Sequence, residues 1–275
     1  MDENTSCVVC GGTVAPDGHC WDCGESQPAF RAHVETTADG GAAGVSDRGL
    51  RRGVNADAMA LTTAGTWTIG VVCDGVSMAP RAERAARVAA EGGLNSLVER
   101  LSSGTLPEAA LAESAARAGR AVTALAGPER AARSGAEVTV SPACTYVAGV
   151  AGPQGIWAAS VGDSRAYWLP EEGPGMALTE DDTGDLDTLT AWLGADADEP
   201  VPHIRSYRPP CPGRLLLCTD GLWRHLPHVE ELSAIARRPR PDGEGPLAQA
   251  RDLVAYALEA GGHDNITVLV VPVAG

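Results

Sequence analysis

The 275-residue sequence contains no lysine, so all 21 of its basic side chains are arginine. They are outnumbered by 36 acidic residues, which gives a formal net charge of -15 at pH 7. Nucleic acid is bound by net positive protein surfaces, so the charge argues against nucleic acid as a partner. The sequence also has one phenylalanine, and we therefore expect tryptophans such as Trp157, Trp168 and Trp192 to pack the core.

Long apolar runs are absent as well. No segment approaches the roughly 20 apolar residues that a membrane-spanning helix needs, and the N-terminus has no basic region followed by an apolar one. We therefore expect a soluble, cytoplasmic protein with no membrane partner. The length and the hydrophobic content of 44% suffice for one sizeable core or for two domains.

Four of the eight cysteines crowd into the first 23 residues, as two Cys-x-x-Cys-Gly units. Each unit can form a tight turn that presents two thiolates, and two such turns complete a tetrahedral zinc site made of Cys7, Cys10, Cys20 and Cys23. The alternatives are a redox dithiol pair and an iron site of the rubredoxin type. We favour one structural Zn²⁺, which would supply the folding energy of a small ribbon over residues 1–28. Residues 29–275 would then form the second domain.

Three apolar stretches each end at an aspartate followed by a small residue, at Asp74, Asp163 and Asp220. An ionised carboxylate at the end of a buried strand needs a compensating charge, which a metal ion would provide. A single Asp-Gly pair is more commonly just a turn. Three such endings after apolar strands instead favour one shared site.

The remaining periodicity predicts strands in hairpins and helices in separate pairs. This pattern is typical of an α+β sandwich rather than a doubly wound parallel sheet. The predicted strands are 32–37, 58–63, 67–73, a meander over 143–169, one around Leu215, and 266–271. The predicted helices begin at Pro80 and Pro107 and at residues 229 and 246, with a short helical piece near 186–193.

A series of motifs then follows between Ser46 and Val271. They read S-D-x-G-x-x-R-x-x-N-x-D, V-x-D-G, C-T near a strand start, V-G-D-S-R-A-Y, L-T, L-C-T-D-G-L and G-x-D-N-I-T-V. In this order they resemble the metal-dependent type 2C protein phosphatases, the PPM family. The resemblance implies a four-layer α-β-β-α sandwich, in which helix pairs flank two antiparallel sheets.

The resemblance also implies an activity and its metal ligands. The activity is hydrolysis of phosphoserine and phosphothreonine in proteins, by a water that bridges two Mn²⁺ or Mg²⁺ ions, in opposition to a bacterial Ser/Thr kinase. At the matching positions, Asp74 would bridge both ions and the Gly75 carbonyl would bind one of them. Asp220 and Asp264 would hold one ion, and Asp57 would support the other through water.

Other roles implied by the resemblance fall on three further residues. Arg52 would grip the substrate phosphate, Asp163 would belong to a weaker third metal site, and Asn265 would orient its neighbours. The sequence departs from the family at Ala56, where a glutamate is usual, and at Val76, where some members have a histidine. Residues 179–210 would replace the family's flap in a shortened form.

The residue types agree with that chemistry, because hard divalent cations prefer carboxylate, carbonyl and water oxygens. Arg52 offers a planar, permanently charged fork for two phosphate oxygens. Loss of the glutamate at Ala56 instead favours a second hypothesis, a phosphatase-like adaptor that binds phosphoproteins or a kinase without turnover. Because the primary metal positions and Arg52 are present, we favour an active enzyme.

Overall fold

The computed structural model describes residues 6–15, 18–25, 27, 31–126, 141–238 and 245–274. The strands are β1 (His33–Thr37), β2 (Ala43–Asp47), β3 (Ala58–Ala64), β4 (Trp67–Cys73), β5 (Ala143–Cys144), β6 (Tyr146–Gly152), β7 (Gly155–Val161), β8 (Arg165–Pro170), β9 (Met176–Ala177), β10 (Leu193–Gly194), β11 (His203–Tyr207), β12 (Gly213–Cys218) and β13 (Ile266–Val273). The helices are α1 (Ala82–Ser102), α2 (Pro107–Ala124), α3 (Asp220–Trp223), α4 (Val229–Ala236) and α5 (Pro246–Glu259).

Two antiparallel sheets form the middle of the molecule. One has the strand order β1-β2-β13-β12-β8-β9, and the other has the order β11-β7-β6-β4-β3. The inner faces of the sheets pack against each other through apolar side chains that include Val72, Trp168, Leu217 and Leu269. Strand β4 shows the alternation expected of a strand, because Val72 faces the other sheet while Val71 and Cys73 face the helices.

Each sheet is covered on its outer face by a helix pair. Helices α1 and α2 pack on the five-stranded sheet, and α4 and α5 pack on the six-stranded sheet. In α1 the buried face is built from alanines such as Ala85, Ala86 and Ala89, whose small side chains let the helix lie close to the sheet. The predicted four-layer α-β-β-α sandwich is therefore confirmed. Within the described ranges, no helix has both the length and the apolarity needed to cross a membrane.

Several predicted details need correction. The prediction of a short helix near 186–193 is wrong. The structure has a single 3-10 turn at Asp185–Asp187, and β10 follows it. Strands β2 and β11 were missed, because β2 is a short run of small residues and β11 is a largely exposed edge strand. Trp157 and Trp168 are buried as expected, whereas Trp192 lies outside the core clusters and donates a hydrogen bond to Asp196.

Candidate active site

The ends of five strands place five aspartates at one end of the sandwich. Asp74 directly follows β4 and Asp57 directly precedes β3. Asp163 and Asp220 lie two residues after the ends of β7 and β12, and Asp264 lies two residues before the start of β13. The strands are antiparallel, so these five positions meet at the same end of the two sheets. The aspartates are Asp57, Asp74, Asp163, Asp220 and Asp264.

A pocket of about 230 Å³ opens at this end. Four of the aspartates line it, namely Asp74, Asp163, Asp220 and Asp264, and Gly75 lies beside them. The rest of the wall comes from the Val76–Met78 segment, Thr145 and Leu189. The structure therefore brings the predicted metal-site residues together, and Leu189 places the 179–210 segment at the pocket wall.

Asp57 is buried and does not line the pocket, but it is close enough to Asp74, Asp220 and Asp264 to interact with their charges. Its Oδ2 atom accepts hydrogen bonds from the Thr219 and Thr267 hydroxyl groups, at 2.9 and 2.8 Å. Among the described residues, its Oδ1 atom is buried without a hydrogen-bond partner, as is Oδ1 of Asp220. Two buried carboxylate oxygens without partners are costly unless a cation binds them.

The charge of the cluster has the same implication. Burial, together with the neighbouring aspartates, raises the pKa of Asp57 to about 7 and that of Asp74 well above its usual range. Burial and the nearby Asp220 carboxylate raise the pKa of Asp163 to about 6. Carboxyl groups that raise one another's pKa in this way are stabilised by a bound cation. Oxygen-only donors suit Mg²⁺ or Mn²⁺, so the residues fit the predicted ions.

The backbone around Asp74 is fixed by close packing. Thr145 accepts a hydrogen bond from the Asp74 amide at its hydroxyl group, at 3.0 Å, and donates one from its amide to the Asp74 carbonyl, at 2.8 Å. A Cβ atom on Gly75 would lie 2.7 Å from the Ala82 carbonyl and 2.8 Å from that of Ala56, so only glycine fits there. These contacts hold the strand end in one position beside the pocket.

Arg52 reaches the pocket through Asp264. Its Nε atom donates to Asp264 Oδ1 at 2.7 Å, and its Nη2 atom donates to Oδ2 at 2.5 Å. Asn265, the predicted supporting residue, ties three segments together: its amide oxygen accepts from the Ala56 amide, and its Nδ2 atom donates to the Arg48 and Val54 carbonyls. The loop that carries Arg52 is thereby fastened to the segment that carries Asp264.

The four N-terminal cysteines also converge. Their sulfur atoms all lie within 4.8 Å of one another, with 3.7 Å between Cys7 and Cys23 and 3.5 Å between Cys10 and Cys20. Sulfurs bound to one tetrahedral Zn²⁺ would be roughly 3.8 Å apart, given Zn–S bonds of about 2.3 Å. The cluster therefore fits the predicted zinc ion.

The segment that carries Cys7, Cys10, Cys20 and Cys23, here called the cysteine module, contacts the rest of the protein near the pocket. His19, between the two cysteine pairs, lies with Nε2 2.9 Å from Glu83 Oε1 in the first turn of α1. The neighbouring Ala82 packs against Gly75, which lines the pocket. The module therefore sits one layer of residues away from the aspartate cluster.

Comparison with known proteins decides the family. A sequence profile described as Protein phosphatase 2C matches residues 50–251, which is more than two thirds of the chain. The chain belongs to the protein phosphatase 2C family.

Individual relatives agree with this family. The serine/threonine phosphatase Stp1 from Staphylococcus aureus superposes with a TM-score of 0.68 at 21% identity, over 88% of this chain and 98% of that one. The Ser-Thr phosphatase MsPP from Mycobacterium smegmatis, solved with cacodylate, gives 0.62 at 25% identity, over 85% and 98%. Human protein phosphatase 1F is 47% identical over 58 residues, which span 21% of this chain and 13% of the human protein.

Within this 2C-family chain, sequence reasoning missed four polar residues that support the site. Thr145 holds the Asp74 backbone, and Thr219 and Thr267 both bind Asp57. The signal was present for the threonines, since each lies inside a quoted motif next to a strand end. Arg224 was missed because it lies four residues beyond Asp220, where no family motif marks it.

Proposed function

We propose that the chain is a metal-dependent serine/threonine protein phosphatase that uses two Mn²⁺ or Mg²⁺ ions. The observation that carries the proposal is the aspartate cluster at one end of the sandwich. In the part of the chain that the structure describes, two of its carboxylate oxygens are buried without a hydrogen-bond partner, and the pKa values of Asp57 and Asp74 are raised. Such a cluster is unfavourable in a metal-free protein and is explained by cation binding.

Each member of the cluster has a distinct place in this proposal. Asp74 and Gly75 line the pocket: Asp74 would contact both ions and the Gly75 carbonyl would bind one of them, while Asp220 and Asp264 would hold one ion. Asp57, deeper and bound to two threonines, would support the other ion. When bound, the ions would neutralise phosphate charge and activate a water for attack on phosphorus.

Arg52 supplies the contact to the substrate phosphate. Its guanidinium already presents two parallel donors to the Asp264 carboxylate, and the same fork geometry matches two phosphate oxygens. Cations bound at Asp264 would compete for its oxygens and thereby release the donors of Arg52 toward the pocket. Asn265 would hold the loop that carries Arg52 in place, through its hydrogen bonds to the Arg48 and Val54 carbonyls.

The substrates would be phosphoproteins, and a Ser/Thr kinase must supply them, because only such a transfer forms the phosphoesters that are hydrolysed here. The N-terminal module over residues 1–28 would be a separate ribbon that holds one structural Zn²⁺ through Cys7, Cys10, Cys20 and Cys23. Its four thiolate ligands leave no open position, so it contributes no chemistry of its own.

Phosphate release from matched peptides tests the proposal. The full chain should hydrolyse phosphoserine and phosphothreonine peptides in Mn²⁺ or Mg²⁺, hydrolyse the phosphotyrosine version of the same peptide more slowly, and do neither in excess EDTA. Tight binding of the phosphopeptides without release of phosphate in any divalent metal would instead establish the adaptor hypothesis.

A further inference from the structure

Asp163 and Asp220 share one cationic side chain. Arg224 donates from Nε to Asp220 Oδ2 at 2.7 Å, and its Nη2 atom lies 3.7 Å from Asp163 Oδ2. Both carboxylates line the pocket, while the arginine side chain is 45% exposed at its edge. One guanidinium therefore contacts both carboxylates and offsets part of their negative charge.

The position of Arg224 is set by local structure. It lies four residues after Asp220 at the end of α3, where side chains at this spacing meet on one helix face. Its backbone amide also donates to the Asp220 carbonyl at 3.0 Å, so the arginine and its partner belong to one turn.

Trp223 provides a second support. The Arg224 guanidinium lies 5.0 Å from the centre of the Trp223 ring, within the range of a cation–π contact. The ring is itself fixed, because its Nε1 atom donates to the Asp163 carbonyl at 2.8 Å and Arg165 stacks on it at 3.6 Å. Arg165 is held in turn by the Asp181 carboxylate. The arginine is thus fastened to both aspartate segments.

A metal ion at Asp163 conflicts with this arrangement. An ion such as Mg²⁺ would have to approach the carboxylate oxygens to about 2.1 Å, and Arg224 Nη2 already lies 3.7 Å from Asp163 Oδ2. The Arg224 charge already offsets part of the negative potential that would attract a third cation to Asp163. The residues around Asp163 therefore do not fit the weaker third ion that the family resemblance implies.

We propose that Arg224 is a built-in cation that takes the place of a third metal ion between Asp163 and Asp220. The inference rests on the proposed two-ion site and refines it: the chain binds two catalytic ions and no third ion. Arg224 then acts as a positioning residue, because it orients the Asp220 carboxylate toward the ion that this aspartate would share with Asp264.

Mn²⁺ binding stoichiometry tests the inference on the full chain, by calorimetry and by electron paramagnetic resonance of free Mn²⁺. The wild type should bind two ions, as should Arg224→Lys, which keeps the charge. Arg224→Gln should bind a third, at least about tenfold more tightly than any third ion on the wild type. The double variant Arg224→Gln with Asp163→Asn should return to two. Arg117→Gln, which removes an exposed arginine paired with Glu99, serves as the charge-matched control and should stay at two.

Equal stoichiometry and affinity in the wild type and Arg224→Gln would overturn the inference, whether both bound two ions or three. If Arg224→Gln does not fold, the wild type still decides: a third Mn²⁺ that disappears in Asp163→Asn contradicts the inference. Failure of the two-ion proposal has a different signature, namely fewer than two ions bound and no Mn²⁺-dependent hydrolysis of p-nitrophenyl phosphate by the wild type.

Discussion

Arg52 and Asp264, 212 residues apart in the sequence, are joined by two parallel hydrogen bonds of 2.7 and 2.5 Å. The proposed phosphate contact and one proposed metal ligand thus satisfy each other in the metal-free chain. Burial of a carboxylate is tolerated when a permanently charged fork pairs with it. The proposed metal binding and the proposed substrate binding would therefore be linked through this pair.

Substitution of Arg52 tests its role in substrate binding. Arg52→Ala should lower kcat/KM for a phosphopeptide by about 10- to 100-fold, because two charge-assisted hydrogen bonds to phosphate are lost. The metal affinity should not fall, since Asp264 is released rather than removed. Steady-state kinetics and Mn²⁺ calorimetry measure the two effects separately. Arg117→Ala is the control, and an Arg52→Ala enzyme with wild-type kinetics would place the phosphate contact elsewhere.

The missing glutamate at position 56 predicts a gain of metal affinity. The Ala56 backbone is fixed on both sides, since its amide donates to Asn265 and its carbonyl accepts from Gly75. Ala56→Glu should therefore place a carboxylate beside the site and lower the Mn²⁺ dissociation constant by about tenfold, as outer ligands typically do. Ala56→Gln, of the same shape but neutral, is the matched control. Identical effects of the two variants would show that charge is not the cause.

The raised pKa of Asp57 predicts an unusual pH dependence of the metal-free protein. Because its pKa in the folded chain is about 7, above the unfolded value of about 3.9, the folded state binds more protons and loses stability as pH rises between those values. Asp57→Asn should thus stabilise the EDTA-treated protein by a margin that grows from pH 5 to pH 8, up to a few kcal/mol. Urea unfolding at both pH values measures it. The exposed control Asp198→Asn should show no such trend, and a margin that shrinks with pH would refute the assignment.

Much of the fold was predictable because its signals are local. The β3–β4 hairpin around Gly65 and the α1 and α2 helices after Pro80 and Pro107 follow from alternation, apolar periodicity and turn residues. Strand β2 was not predictable in this way, since its five residues have no apolar alternation and its place between β1 and β13 comes from tertiary pairing.

The residues of the site also fall into those that the local sequence predicts and those whose role depends on the tertiary fold. The aspartates at strand ends stand out in the sequence, because a charged residue after an apolar run is conspicuous. The pairings between these residues are not local. Arg52 contacts Asp264, and Thr219 and Thr267 contact Asp57, only when the two sheets are packed together. Arg224 shows a further limit, since its spacing from Asp220 is local but its role depends on Asp163 across the pocket.

The four-cysteine site predicts that zinc and the proposed catalytic ions are lost under different conditions. Zinc held by four thiolates should survive dialysis, whereas Mn²⁺ or Mg²⁺ at an open carboxylate site should wash out. Deletion of residues 1–28 should remove one zinc per chain yet leave most activity toward p-nitrophenyl phosphate. Metal analysis and initial rates of the intact and truncated proteins measure this. Equal zinc in both would refute the four-cysteine site.

Total loss of activity on truncation would carry a different meaning, namely that the contact between His19 and Glu83 helps to fold the start of α1. Cys23→Ser in the full chain distinguishes the effect of losing the zinc ion from the effect of removing residues 1–28. This variant should lose zinc while the rest of the chain, including α1, stays intact.

Hydrolysis of p-nitrophenyl phosphate by the wild type and by Asp74→Asn, titrated with Mn²⁺, is the most direct test of the proposed two-ion site. The wild type should turn over only when the metal is present, and Asp74→Asn should lose at least about a thousandfold in rate, since nothing else in the pocket replaces a ligand shared by both ions. Circular dichroism should show the same fold for both proteins. A folded Asp74→Asn protein with near wild-type activity, or a wild type equally active in EDTA, would contradict the two-ion assignment.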